Sequence, residues 1–497
     1  MASLDTEMKI MIGQRICAGF EGTEVTPELE ALIKDYKVGN ILLFTRNIKD
    51  YDQLCRLNGD LIRLITEETG LPPFIMIDEE GGGVSRLAHI GSDTPSPMAI
   101  GATGDPENAW RVGYLIGRRL RAAGINFDLA PVLDYSADPC NLAISNRSFA
   151  CDAEKTALFG KRYIDGLHDA GVYGCGKHFP GHGDTTVDSH LALPIIEKPM
   201  DALWSEDLVP FRAAIGAGVD GIMSAHIMFP EIDPDRVPCT ISERMLKGLL
   251  RDRLGFQGIA ISDGMEMHAM LDLFPVPEGV ARALKAGIDV ALVCHEPKLA
   301  AASCERIAEA VRNGEISRAD MEAHHRRIAA SKAAMQAPDW DAKRFPDRED
   351  RETCRRIMEE AVRVLHSPGG APLPKIDDKT VFMGCSSMRI SLVNDEGHVD
   401  GAAYCAKATD GRSLGAEPDA VALEGASAAV IFLEMPDEAA KFAPLAERLT
   451  AAGVRTIAVS MHTAKTLDFM PDSVWKICCW QYNDLALDAL VNLLKQA

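Results

Sequence analysis

The 497-residue chain is poor in positive charge: 52 Lys and Arg stand against 73 Asp and Glu, for a formal net charge of -21 at pH 7. Phosphate backbones and anionic bilayers attract basic surfaces, so neither nucleic acid nor a membrane is an expected partner. No apolar run approaches the ~18 residues of a membrane-crossing helix, and no transmembrane span is expected. In the opening stretch MASLDTEMKIMIGQRICAGF, Asp5 and Glu7 stand where a secretory leader would carry basic residues, and no apolar segment follows. The 13 cysteines include no CxxC pair, and only Cys478 and Cys479 are adjacent. An odd, dispersed set of this kind reads as reduced thiols in a cytoplasmic protein, not as a disulfide framework or a zinc knuckle. No internal repeat is present.

What the chain does contain is ordinary for a globular protein: 47% apolar and 25% charged residues. Its length suggests two or three domains. Seven short apolar runs punctuate the first part: GNILLF from Gly39, PFIMID from Pro73, INFDLAPVLD from Ile125, GVYGCGKHF from Gly171, GIMSAHI from Gly221, GIAISDG from Gly258 and GIDVALVC from Gly287. Most are continuous rather than alternating, the mark of parallel strands buried on both faces. Helical stretches lie between them. Asp105 is placed to cap a helix that opens with Pro106 and Glu107 and stops at Gly124, and another helix is expected from Asp201 to Gly216. Repeated strand–helix units predict an α/β fold with a (β/α)8 TIM-type barrel over residues 1–337. A doubly wound sheet is the alternative, since periodicity alone cannot close a barrel. The charged, proline-bearing PDWDAKRFPDREDRE and a helix through RRIMEEAVRVLH form a connecting segment over 338–370. Strand runs KTVFMGC, AAVIFLEM, RTIAVSM and VWKICCW, separated by helical runs, predict a smaller α/β domain over 371–497.

Reactive side chains of a barrel belong at the C-terminal ends of its strands, and polar residues recur there. PFIMID leads to Asp78, Glu79, Glu80 and Arg86; INFDLAPVLD ends at Asp134; GIMSAHI holds His226; GIAISDG holds Ser262 and Asp263. Each has a plainer reading as a cap, a turn residue or a satisfied core histidine. The densest stretch, GKHFPGHGDTTVDSH, runs from Gly176 to His190. Lys177 and His178 follow directly on a strand, and Pro180, Gly181 and Gly183 turn the chain into a loop. Asp188 and His190 are two apart, so the carboxylate can orient and charge the imidazole, which can then protonate a leaving group near neutral pH. With Asp263 as a nucleophile on the other side, about 5 Å away, this is the layout of a retaining glycosidase. Two other readings stand beside it. His178, His182, Asp184 and His190 are possible zinc ligands, although their spacing fits no closed pattern and Lys177 and Arg147 would repel a divalent ion. The stretch also reads as a polar loop whose histidines cap backbone groups.

KHFPGHGDTTVDSH followed by LALP resembles the signature of glycoside hydrolase family 3, in its NagZ-like β-N-acetylglucosaminidase branch. GNILLFTRN, IDEEGG, NFDLAPVLD, NRSF, SAHIMFP and LGFQGIAISDGMEM resemble further family motifs, so the likeness covers at least residues 12–295. It implies a (β/α)8 barrel, often followed by an α/β sandwich domain. It also implies a retaining exo-β-N-acetylhexosaminidase acting on peptidoglycan fragments or short chitin-type sugars. Asp263 would be the nucleophile, His190 the acid/base and Asp188 its partner. Asp78, Arg86, Arg147, Lys177 and His178 would bind the sugar hydroxyls. No metal and no cofactor are called for. A small oligosaccharide is the expected partner, with phosphate as an alternative acceptor to water. The chain departs from the family pattern at Glu79 (usually glutamine), Gly83 (usually arginine) and Gly264 (usually a second aspartate). Three rivals remain: a phosphorylase on the same site, a metal-dependent hydrolase and a non-catalytic sugar-binding protein.

Overall fold

The computed structural model describes residues 1, 4–91, 93–135, 141, 143–183, 185, 193–340, 347–384, 399–415 and 423–496. Eight parallel strands close a barrel: β1 (Ile16–Ala18), β2 (Asn40–Leu43), β3 (Phe74–Ile77), β4 (Phe127–Asp128), β5 (Tyr173–Phe179), β6 (Gly221–Ser224), β7 (Ile259–Gly264) and β8 (Val290–Val293). β8 completes the ring against β1, with Ile16 opposite Ala291 and Ala18 opposite Val293. The barrel expectation holds and the doubly wound alternative falls, because the sheet is closed. β1 is absent from the seven runs the sequence marks out. Its three residues carry no periodic signal, and it is a strand because both β2 and β8 pair with it.

Alternation along the strands decides what reaches the barrel mouth. Phe74 and Met76, Cys175, Ile259 and Ile261, and Val290 and Leu292 pack together as the barrel interior. Ile75, Ile77, Ala260 and Ala291 face the surrounding helices in a separate cluster. Successive side chains of a strand point to opposite faces. The next interior positions are therefore Asp78, Lys177 and Asp263, which emerge at the C-terminal end above a plug of apolar side chains.

Asp105 caps helix Pro106–Ala122 as expected, accepting from the Glu107 N–H at 3.0 Å. The helix expected from Asp201 is instead two, Met200–Ser205 and Leu208–Gly216. Helix Arg318–Ala334 packs at the opposite end of the barrel. Its Ile328 joins the interior cluster, and Lys332 Nζ donates to Gln14 Oε1 at 2.5 Å and to the Gly39 carbonyl at 2.9 Å.

A separate six-stranded sheet forms the second domain, in the order β9–β14–β13–β12–β10–β11: β9 (Arg363–His366), β10 (Thr380–Gly384), β11 (Arg412–Ser413), β12 (Ala428–Leu433), β13 (Arg455–Ser460) and β14 (Trp475–Cys478). All its pairs are parallel except β9 with β14. The helix expected through His366 stops at Ala361, and the Val-rich residues after it form the edge strand β9 with alternating exposure. Met358, Ala361 and Val362 belong to the core of this domain. So do Met98 and Ala99, from helix Pro97–Thr103 on the barrel side, so the two domains meet through apolar packing.

Candidate active site

A cavity of ≈ 500 Å³ opens at the C-terminal mouth of the barrel, lined by Asp78, Glu80, Arg86, Arg147, Lys177, His178 and Asp263 among others. Five elements bring these side chains together. Asp78 follows β3, and the chain then folds back as a hairpin that pairs Glu79–Gly81 with Val84–Ser85. Gly81 and Gly82 turn this hairpin at φ 92 and 59, in the left-handed region, where a Cβ at Gly81 would lie 2.6 Å from the Pro95 carbonyl oxygen. The turn delivers Glu80 and Arg86 to the cavity. Arg147 comes from the 3-10 turn Ser145–Arg147 in the loop after β4, Lys177 and His178 from β5, and Asp263 from β7.

One wall of the cavity is an ion cluster. Lys177 Nζ lies 2.7 Å from Asp78 Oδ1 and 2.6 Å from Glu80 Oε1. Arg147 grips Glu80 with two parallel bonds of 2.8 Å, and its Nη1 donates to the Ala143 carbonyl at 2.6 Å. Arg86 stands 3.6 Å from the other oxygen of Asp78. Burial would raise Glu80, but Arg147 and Lys177 outweigh it and hold the carboxyl far below the usual range. Burial likewise works against the charge of Lys177, yet Asp78 and Glu80 keep its ammonium above its ordinary value. Glu80, Arg147 and Lys177 therefore stay ionised at neutral pH and, with Asp78, form a set of fixed donors and acceptors already oriented toward the cavity.

Asp134 anchors the neighbouring wall. Its Oδ2 lies 2.7 Å from His178 Nδ1 and accepts the His178 N–H, while Oδ1 accepts the His182 N–H at 2.7 Å. The His178–Asp134 contact directs Nε2 toward Arg147 Nη2, 3.5 Å away. Burial would raise Asp134, and His178 pulls it below the ordinary value. Burial also lowers His182, to about 4, so it is neutral, with the Thr185 hydroxyl 2.8 Å from its Nδ1. Asn141 donates to the carbonyls of His182 and Gly183 at 3.1 and 2.8 Å, tying the stem of the next loop to the loop after β4.

Asp263 is half-buried on the far side, and its Oδ1 accepts the Gly264 N–H at 2.8 Å. Gly264 leaves room there: a Cβ would lie 3.2 Å from Cys294 Sγ. Glu266 accepts the N–H groups of Cys294 at 2.8 Å and His295 at 3.1 Å, fixing that rim. His226 is fully buried, between Thr240 Oγ1 at 2.8 Å and the Gly264 carbonyl at 3.0 Å, a core histidine that braces the end of β7. Ser262 accepts the Leu292 N–H at 3.0 Å and serves the barrel wall. Glu79 points away from the cavity, accepting from Ser85 Oγ at 2.5 Å and the Leu87 N–H at 3.2 Å.

Asp78, Arg86, Arg147, Lys177, His178 and Asp263 are thus gathered in one cavity. Asp188 and His190, and Asp184 of the zinc reading, lie outside the described residues. Among the described residues no group of three or more His, Cys, Asp or Glu is placed to hold a metal ion. The sequence places Glu80 and Asp134 among the polar residues at strand ends but assigns neither a role in the site. The signal for both was present: Lys177 and Arg147 entering one barrel mouth require buried anions to balance them, and His178 requires an acceptor.

The model of the glycosyl hydrolase family 3 N-terminal domain matches residues 6–331. The chain belongs to glycosyl hydrolase family 3. It is therefore a glycoside hydrolase. A β-hexosaminidase of Stenotrophomonas maltophilia (strain K279a) is 38% identical over 283 residues, 56% of this chain and 82% of that one. The glycoside hydrolase family 3 β-N-acetylglucosaminidase of Paenibacillus sp. str. FPU-7 superposes with a TM-score of 0.89 at 32% identity, covering 99% of this chain and 97% of its own. A β-N-acetylhexosaminidase from Beutenbergia cavernae DSM 12333 gives a TM-score of 0.61 at 29% identity, over 67% of this chain and all (100%) of its own.

Proposed function

We propose that this family 3 enzyme is a retaining, exo-acting β-N-acetylhexosaminidase. Its substrates in this reading are N-acetylglucosaminyl fragments of peptidoglycan or short chitin-type oligosaccharides. The observation that carries the reading is one cavity with the half-buried carboxylate of Asp263 on one wall and the hydrogen-bonded array of Asp78, Lys177, Glu80 and Arg147 on another. The relatives described above, a β-hexosaminidase and a β-N-acetylglucosaminidase, support the choice of sugar.

In this mechanism Asp263 attacks the anomeric carbon and forms a glycosyl-enzyme ester. His190, oriented by Asp188, gives its proton to the leaving oxygen. It then takes a proton from water as the water cleaves the ester. Asp78 and Arg86, with Lys177, Arg147 and His178, hold the ring hydroxyls so that both faces of the anomeric centre are correctly presented. Residues 1–337 form the catalytic barrel in this reading, 338–370 the connecting segment and 371–497 the second domain. No described helix is long and apolar enough to cross a membrane. The eleven described cysteines are all free thiols, which supports a cytoplasmic setting.

The test compares an aryl β-N-acetylglucosaminide with an aryl β-glucoside, each with and without phosphate. Release of N-acetylglucosamine at a rate indifferent to phosphate is expected. A preference for the glucoside would overturn the sugar assignment. A sugar-1-phosphate product, formed faster as phosphate rises, would make the enzyme a phosphorylase on the same site.

A further inference from the structure

Among the described residues, the second domain makes polar contact with the loop that carries Arg147 at Asn146. Trp480, just beyond β14, turns its carbonyl toward the barrel. That oxygen accepts from Ser96 Oγ at 2.9 Å and from Asn146 Nδ2 at 3.1 Å. The other hydrogen of Asn146 Nδ2 points to His462 Nδ1, 3.2 Å away, just beyond β13. His462 is buried, and burial lowers its pKa to about 3, so the ring is neutral and Nδ1 is free to accept. Asn146 is the residue before Arg147, which grips Glu80.

Both sides of this contact are held in backbone conformations that side chains disfavour. Ser145 has φ 41 and Trp480 has φ 66. Non-glycine residues stay in the left-handed region only where their surroundings over-determine them. On one side the determinants are the two acceptors of Asn146; on the other they are the two donors to the Trp480 carbonyl and the bond from Trp480 Nε1 to the Ala361 carbonyl at 2.9 Å. Asn146 is 3% exposed, so an amide deprived of these acceptors would have no water to turn to.

We propose that the second domain positions the sugar-binding arginine: Trp480 and His462 hold Asn146, and Asn146 sets the turn from which Arg147 reaches Glu80. His462 and Asn146 are positioning residues and touch no substrate. This inference rests on the proposed role of Arg147 in sugar binding, but its test does not depend on which sugar is cleaved.

The test uses the full chain and two substitutions of the same histidine. His462→Leu removes the acceptor while keeping an apolar side chain of similar reach. His462→Asn places a carbonyl oxygen near the position of Nδ1. KM for whichever aryl glycoside the parent cleaves should rise roughly five- to tenfold in His462→Leu, the value of one lost neutral hydrogen bond. kcat should change less than KM, and His462→Asn should return KM to within about twofold of the parent. Amide hydrogen exchange at residues 144–148 should quicken in the leucine variant alone, a readout that stands even if no glycoside tried is cleaved. Unchanged KM and unchanged exchange in a folded His462→Leu would overturn the proposal. So would equal defects in both variants, because a merely structural role of the ring would not distinguish them. If His462→Leu does not fold, Asn146→Ala is read in the same two ways.

Discussion

Asp263 and Glu79 show how differently a carboxyl group behaves at two depths. Asp263 stands at the cavity wall with one oxygen committed to the Gly264 N–H. Asp263→Ala should lower kcat by at least roughly 10^4-fold. Azide should restore part of the turnover as a glycosyl azide of inverted configuration, seen by NMR; near-parental activity without azide would remove Asp263 from the nucleophile role. Glu79 is 1% exposed, and burial raises its carboxyl from 4.5 to about 7 despite the Ser85 and Leu87 donors. Below pH 4.5 the group is neutral in both folded and unfolded chains and costs nothing. Between pH 4.5 and 7 the unfolded chain ionises first, so stability falls as pH rises, and the loss levels off above 7 at a value on the order of 3 kcal/mol. Glu79→Gln, which installs the residue usual in the family, should lack this decline. Urea unfolding from pH 4.5 to 8 should show the variant gaining on the parent as pH rises, and parallel curves would refute the assignment.

At the scale of elements, one side-chain amide adds to the coupling of two loops. Asn141, in the loop after β4, holds the His182 and Gly183 carbonyls at the stem of the loop after β5. Asp188 and His190 follow that stem in the sequence. If His190 is the acid as proposed, Asn141→Ala should lower kcat by about tenfold with little change in KM, because it loosens the stem before His190 and leaves the Lys177–Glu80 pair in place. The defect should shrink for aryl glycosides with very acidic leaving groups, which need no proton. Equal losses across leaving groups would show that the stem does not position the acid.

Across the whole molecule, the two ends of the barrel do separate work. At the closed end Asp289 is fully buried among Arg251 at 2.6 Å, Arg327 at 2.7 Å and His324 at 2.5 Å. Burial would raise its carboxyl, but His324 and the two arginines drive it far below the usual range. Removing it leaves several cations without their counter-charge, which costs about 3–5 kcal/mol. Asp289→Ala should lose stability on that scale in urea while the folded fraction keeps the parental kcat, since the cavity opens at the other end. A fall in kcat without a fall in stability would contradict this division.

Periodicity and composition were enough to fix the class of the fold. Continuous apolar runs at regular spacing can be satisfied only by strands covered on both faces, and polar residues at their C-terminal ends mark the mouth of a barrel. Asp78, Lys177 and Asp263 were legible for that reason: each lies two positions beyond an interior residue of its strand. The (β/α)8 closure, the three-residue strand β1 and edge strand β9 were decided by pairing partners far away in the chain, which no local pattern records. Glu80 and Asp134 stand at strand ends in the sequence, but their partners, Arg147, Lys177 and His178, were chosen only by folding. A buried charge has meaning only through its partner, and tertiary structure alone chooses the partner.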